Sequence, residues 1–238
     1  MNGRLPAQGE VHLWPMALDL PDTEQAPLTE LLGEDEHVRS ATFRHALHRR
    51  RYVAARGQLR QLLGGYLARD PAAIRFNYGL HGKPALAELA SPLQFNISHS
   101  GAHALCVVSD SVPVGVDLEN RASIDDLDAL ARHIMSPLET LLFAELPPKA
   151  RHEAFYACWT RKEAYLKARG LGVATALRKV SVSLACESRP KLLQCENNLE
   201  SPEDWTLYSF QLPGDFAAAV AVSEKIHSCN WQRAWPET

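Results

Sequence analysis

The chain has little cysteine: five residues among 238, Cys106, Cys158, Cys186, Cys195 and Cys229, an odd number with no C-x-x-C pair. That excludes a disulfide framework and the usual zinc spacing, and leaves the cysteines as small buried hydrophobes of a reducing compartment. Long apolar runs are missing too. No window nears the roughly 18 residues of a membrane span, and the first twenty residues lack the charged start and sustained apolar stretch of a signal peptide. The expectation is a soluble, cytoplasmic chain without a membrane partner. There is no P-loop, no G-x-G-x-x-G after a strand and no G-x-S-x-G, so nucleotide binding or serine hydrolysis by those routes is unsupported. A globally basic surface for nucleic acid is excluded by the net charge of −3. Lysine is scarce, with 7 of the 25 basic residues against 18 arginines.

What is present is an ordinary globular composition, 46% hydrophobic and 22% charged, over a length that fits one large domain or two small ones. Val11–Trp14 reads as a first strand. A mostly helical stretch runs from Leu28 to Leu63, broken near Phe43–His48. Asp70-Pro71 marks a helix start, and Ile74–Tyr78 and Ala85–Leu89 flank a tight loop, Gly79-Leu80-His81-Gly82-Lys83-Pro84. Leu93–Ile97 reads as a strand, Ser98-His99-Ser100-Gly101 as a turn, and Ala104–Val108 and Val114–Glu119 as further strands. Ser123 is expected to start a helix that ends near Ile134. Ser136-Pro137-Leu138-Glu139 is a capping box. Pro147-Pro148 stops that helix, and a long one follows from about Arg151 to Arg169, closed by Gly170. Val180–Leu184, Trp205–Gln211 and Phe216–Val222 read as strands. Gly101–Ser109 weakly echoes Gly214–Ser223, each run following a long basic helix by some fifty residues. The echo favours two similar α+β lobes.

Three segments could carry chemistry. In the strand Val114-Gly-Val-Asp117-Leu-Glu119, period two puts Asp117 and Glu119 on one face, about 6–7 Å apart. Oxygen ligands at that spacing suit a hard cation such as Mg²⁺, although two solvated carboxylates would look the same. In the helix Phe155–Lys167, Trp159, Glu163 and Lys167 fall at i, i+4 and i+8 and form one stripe. A carboxylate beside an indole is partly desolvated and calls for a cation or a hydrogen bond, but an ordinary Glu–Lys surface pair would also fit. Residues 37–69 hold eight arginines (39, 44, 49, 50, 51, 56, 60 and 69) and no acid. This is a local field that would attract a polyanion, with Arg56 beside Gly57, where backbone can approach a ligand closely. Lys83 sits on a restricted turn useful for phosphate. Ser98-His99 is not a nucleophile–base pair, because strand neighbours point oppositely.

Taken in order, Gly82-Lys-Pro84, Phe95-Asn-Ile-Ser-His-Ser100, Gly115-Val-Asp-Leu-Glu119 and Trp159-Thr-Arg-Lys-Glu-Ala-Tyr-Leu-Lys167 resemble the 4'-phosphopantetheinyl transferases of the surfactin-synthetase-activating type, over roughly residues 30–222. The resemblance implies an α+β fold with a pseudo-twofold arrangement of two similar lobes, 1–112 and 113–238, and an active site in the cleft between them. It implies transfer of 4'-phosphopantetheine from coenzyme A to a serine of an apo acyl or peptidyl carrier protein, releasing adenosine 3',5'-bisphosphate, in support of fatty acid, polyketide or nonribosomal peptide synthesis. By the same resemblance Asp117, Glu119 and Glu163 hold Mg²⁺, with Mn²⁺ the alternative. Glu163 is the base for the serine hydroxyl, and Lys167 contacts the phosphate under attack. Arg56, Lys83, Ser98 and His99 bind the nucleotide end, and Arg39 adds a phosphate contact. The partner is a transient, acidic carrier, and the chain is expected to be a monomer. Ile134-Met135 stands where relatives often carry an aromatic pair, and His48 where they often carry an acid. Two other readings use the same residues. One is a metal-dependent phosphatase or nuclease on the three acids; the other is an RNA-binding module on the arginine segment, which would show salt-sensitive binding.

Overall fold

The computed structural model describes residues 4–87, 92–172, 176–197, 200–226 and 228–236. The chain begins with β1 (Glu10–Ala17), followed by α1 (Asp22–Glu30), α2 (Glu34–Ala41) and α3 (Ala46–Leu67). Next come a short hairpin, β2 (Phe76–Tyr78) and β3 (Pro84–Leu86), and the strands β4 (Leu93–Ser100), β5 (His103–Asp110) and β6 (Val114–Asn120). Three helices follow: α4 (Leu127–Ile134), α5 (Pro137–Ala144) and α6 (Pro148–Arg169). The remainder is β7 (Ser181–Val182), β8 (Leu192–Gln194), β9 (Thr206–Leu212), β10 (Phe216–Val222) and β11 (Ser228–Trp231). The fold is α+β.

Two sheets lie at its centre, one in the order β11-β1-β5-β4 and one in the order β6-β10-β9. In β1, β5 and β10 side chains on both faces are buried, and period two divides them between two layers. Val11, Leu13, Leu105 and Val107 of the first sheet meet Val114, Val116, Leu118, Phe216, Ala218, Val220 and Val222 of the second in one apolar layer. The opposite face of the first sheet, with Trp14, Met16, Ala104, Cys106 and Val108, packs on Leu59, Leu62, Leu63 and Tyr66 of α3. The opposite face of the second sheet, with Ala217, Ala219 and Ala221, packs on Phe155, Cys158, Tyr165 and Leu166 of α6. The layers therefore run helix, sheet, sheet, helix, and the expected internal echo has a counterpart in space. β5 is flanked by β1 and β4, β10 by β6 and β9, and α3 and α6 are each 22 residues long. The last strand, β11, pairs in parallel with β1, so the C-terminal part of the chain contributes to the N-terminal sheet.

Several boundaries differ from the sequence expectation. The strand at Leu93 continues through Ser98 and His99 to Ser100, because Gly101 (φ 56°) and Ala102 close a two-residue hairpin to His103. Both site residues placed in a turn are therefore ladder residues. The helix expected from Ser123 starts at Leu127, where the Asp126 side chain accepts the Ala129 N–H at 2.8 Å. The preceding helix ends at Ala144, before Pro147-Pro148 as expected, but the next begins at Pro148 rather than about Arg151, since a proline at the first helical position forfeits no intrahelical bond. The strand expected over Val180–Leu184 shrinks to two residues. Leu89, the expected end of the second hairpin arm, lies outside the described residues. Among the described residues no helix is long and apolar enough to cross a membrane, and all five cysteines are free.

Candidate functional site

The position of α6 on β6 follows from the absence of a side chain. A Cβ built on Gly115 would lie 2.1 Å from the Ala164 carbonyl oxygen and 2.4 Å from the Ala168 nitrogen. Gly115 thus admits the helix backbone into contact with the strand, beside the small Ala217, Ala219 and Ala221 of β10. That contact brings residues 117 and 119 of one element against 163 and 167 of the other.

There the expected stripe and the expected strand pair converge. Lys167 Nζ lies 2.5 Å from Asp117 Oδ1 and 3.3 Å from Glu163 Oε2. Trp159 Nε1 donates to Glu163 Oε1 at 2.8 Å, so the indole supplies the hydrogen bond that a half-buried carboxylate needs. Ser98 Oγ donates to Asp117 Oδ1 at 3.0 Å and accepts from Lys167 Nζ at 3.1 Å. Ser100 Oγ donates to Glu119 Oε2 at 3.4 Å and accepts the Asn120 N–H at 3.0 Å. One step back, Asn96 Oδ1 accepts the Val116 N–H at 2.9 Å. Alternate residues of β4 therefore tie its edge to β6, an edge of the other sheet. Asn96 and Ser100 were not singled out from the sequence; the period-two run N-I-S-H-S was the available signal.

Electrostatics follows from the crowding. Burial, with the Asp117 and Glu163 carboxylates nearby, pushes Glu119 up to about 7. Burial and Asp117 likewise raise Glu163 above the usual carboxylate range, against the opposing pull of Lys167. Burial would lower Lys167, but Asp117 and Glu163 outweigh it and hold the ammonium above the ordinary lysine value. Ionised, the three acids and Lys167 leave two negative charges uncompensated, the charge of one divalent ion. Asp117 Oδ2 is buried and has no hydrogen-bond partner. The donor set is all carboxylate oxygen, as a hard cation requires. These features fit a hard divalent cation. Among the described residues no three such side chains are already gathered into a metal-holding group; Lys167 stands between Asp117 and Glu163.

The remaining expected residues go elsewhere. His99 points away from Ser98 along β4 and is exposed. Lys83 is not directed at this cluster. Its Nζ donates to the carbonyls of Val114 (3.0 Å), Lys167 (2.8 Å) and Ala168 (3.3 Å), using all three donors, and burial pulls it down to about 8. It pins the β2–β3 hairpin to the start of β6 and the end of α6. The neighbouring Gly82 lines a cavity of about 430 Å³ together with Asp35, Arg39, Tyr52, Arg56 and Tyr78. Arg56 therefore faces a cavity rather than the acid cluster. The close approach at Gly57 is made by Leu28 of α1, 2.6 Å from a built Cβ, and not by a ligand.

The arginine segment is also less bare than its sequence implied. Acids outside the window reach back to it. Glu36, fully buried, binds both Arg56 and Arg60, while Arg50 pairs with Asp22 at 2.6 Å and Arg51 with Asp19 at 2.7 Å. Three acids thus engage at least four of the eight arginines within the fold.

Residues 113–221, which carry Asp117, Glu119, Glu163 and Lys167, match the model of the 4'-phosphopantetheinyl transferase superfamily. The chain is 38% identical over 216 residues to the 4'-phosphopantetheinyl transferase HetI of Nostoc sp., covering 90% of this chain and 88% of that one. It is 32% identical over 164 residues to a 4'-phosphopantetheinyl transferase of Bacillus subtilis, covering 64% and 70%. To the Sfp transferase of Bacillus subtilis strain 168 it is 29% identical over 217 residues, covering 76% and 94%.

Proposed function

The chain belongs to the 4'-phosphopantetheinyl transferases, and from that premise we propose that it moves 4'-phosphopantetheine from coenzyme A to a serine of an apo acyl or peptidyl carrier protein, with Mg²⁺ at Asp117, Glu119 and Glu163. The observation that carries this reading is the hydrogen-bonded group of Asp117, Lys167, Glu163 and Ser98 at the meeting of β4, β6 and α6. We take residues 1–112 and 113–238 as the two lobes, with β11 of the second crossing back to pair with β1 of the first and this cluster at the cleft between them.

The serine hydroxyl oxygen attacks the phosphorus that bears pantetheine. A new O–P bond forms, and the bond to the bridging pyrophosphate oxygen breaks, releasing adenosine 3',5'-bisphosphate. Such transfers need positioning and charge neutralisation more than covalent help. Glu163 accepts the serine proton, and its raised pKa makes it a better base at neutral pH than a solvated glutamate. Trp159 holds Glu163 in place through Oε1 and leaves Oε2 toward Lys167. Lys167, kept charged by its two acids, offers an ammonium to the phosphate oxygens. When bound, the divalent ion supplies further neutralisation of the pyrophosphate. The cavity at Arg39 and Arg56 takes the nucleotide end of coenzyme A; the adjacent Lys83 holds that cavity wall to the catalytic strand and helix. Because β4, β6 and α6 of one chain complete the site, a monomer suffices, and five free cysteines suit the reducing cytoplasm.

Mass spectrometry of an apo carrier incubated with the protein, coenzyme A and Mg²⁺ tests the reading. A gain of one phosphopantetheine is expected, and Glu163→Gln should lower its rate by roughly 10²–10⁴-fold with the circular dichroism unchanged. Phosphoester hydrolysis without a carrier, and no gain of mass, would indicate a phosphatase instead.

A further inference from the structure

The cavity at Arg39 and Arg56 contains an acid. Asp35 shares its wall with Tyr52, Tyr78 and Gly82. Arg56 is held rigidly. Its Nε is bound by Glu36, whose carboxylate also takes Arg60 Nε at 2.5 Å and the Gly33 N–H at 2.9 Å. The Arg56 Nη2 donates to the Tyr78 hydroxyl at 2.9 Å, and that hydroxyl donates onward to Asp35 Oδ2 at 2.8 Å. Two of the three acids of α2, Asp35 and Glu36, thus have different surroundings. Glu36 is fully buried and spends its charge on two guanidinium groups. Asp35 is exposed, and the hydroxyl that anchors it is neutral, so its charge acts on whatever enters the cavity.

Coenzyme A and its product adenosine 3',5'-bisphosphate carry the same nucleotide end. Binding energy gained on that end is shared by substrate and product. It speeds no chemical step, and in excess it delays release. An acid opposite the two arginines limits that gain.

Resting on the nucleotide reading of this cavity, we propose that Asp35 is a specificity-determining residue whose carboxylate, anchored by the Tyr78 hydroxyl, opposes the phosphate that Arg39 and Arg56 attract and keeps the 3'-phosphorylated nucleotide exchangeable. Isothermal titration of the full chain with coenzyme A, dephospho-coenzyme A (which lacks the 3'-phosphate) and adenosine 3',5'-bisphosphate tests it. In Asp35→Asn, Kd for the two 3'-phosphorylated ligands should fall together by about three- to tenfold, as for loss of one charge several ångströms away in a partly wet site. Kd for dephospho-coenzyme A should stay within about twofold. Tyr78→Phe keeps the charge but frees Asp35 to pair with Arg56, so it should move the same two constants upward. An equal change for all three ligands in Asp35→Asn, or weaker coenzyme A binding, overturns the proposal. Arg39→Ala separates the two levels. If it fails to weaken coenzyme A relative to dephospho-coenzyme A, the cavity is not the phosphate site and the underlying reading fails. If it does weaken coenzyme A while Asp35→Asn changes nothing, the inference about Asp35 alone is lost.

Discussion

Lys167 and Asp117 stand fifty residues apart in the chain and 2.5 Å apart in space, with Asp117 almost wholly buried. Removing one partner of such a pair strands the other charge in a poorly solvated place, which costs about 3–5 kcal/mol for a fully buried pair. Lys167 retains some solvent contact, so a loss of about 2–3 kcal/mol is expected for Lys167→Met. The double variant Lys167→Met with Asp117→Asn should recover much of that loss. Urea unfolding of the two single variants and the double gives the coupling. Additive losses would show that the contact contributes nothing to folding.

Mg²⁺ should stabilise the folded chain by relieving the repulsion among Asp117, Glu119 and Glu163. An ion at about a hundred times its Kd adds roughly 2.7 kcal/mol, or about 5–10 °C in a chain of this size. Differential scanning fluorimetry with and without Mg²⁺ reads this apart from catalysis. Asp117→Asn and Glu119→Gln should each abolish most of the shift. A full shift in both variants would put the ion elsewhere.

The layers of the fold were largely legible in the sequence, because period-two runs of Val and Ala and two long helices are local signals. The site was legible where one element sets the spacing, as for Asp117 with Glu119 and for Trp159, Glu163 and Lys167. Contacts between distant segments were not. Glu36 lies one residue outside the acid-free window and binds two of its arginines, which no local pattern announces. Lys83 looked like a phosphate ligand on its turn, yet its ammonium is taken up by carbonyls of residues 114, 167 and 168. Gly101 moved the turn past Ser98, converting a presumed loop residue into a strand residue that faces Asp117. The cavity at Asp35 and Tyr78 is built from α2, α3 and a hairpin, and no one of these carries its signature.

Gly115→Ala tests whether the close approach of α6 makes the site. The added methyl would overlap the Ala164 carbonyl and the Ala168 nitrogen, both of them backbone atoms. The helix must therefore shift, at a cost of about 1–3 kcal/mol or more. Transfer activity should fall further than stability alone explains, since the shift also moves Glu163 and Lys167 away from Asp117. Unfolding in urea and the carrier mass assay, run on folded protein, separate the two effects. A stable variant with wild-type turnover would show that the site tolerates a looser helix.

Lys83 predicts a pH dependence of stability. Burial places its folded pKa at about 8, below the roughly 10.4 of an unfolded lysine. Between those values the unfolded chain holds a proton that the folded chain has released, so this group makes stability rise with pH. Below about pH 8 the lysine is charged in both states and its burial cost is fully felt; above about 10.4 it is neutral in both and the cost is gone. The change across the window is on the order of 3 kcal/mol. Lys83→Met replaces the stem with an apolar chain of similar length and removes the titration. In urea unfolding at pH 7.5 and 9.5, the wild-type chain should therefore gain stability on going to the higher pH relative to Lys83→Met. Equal responses of the two proteins would mean that the ammonium's three carbonyl contacts compensate its burial completely.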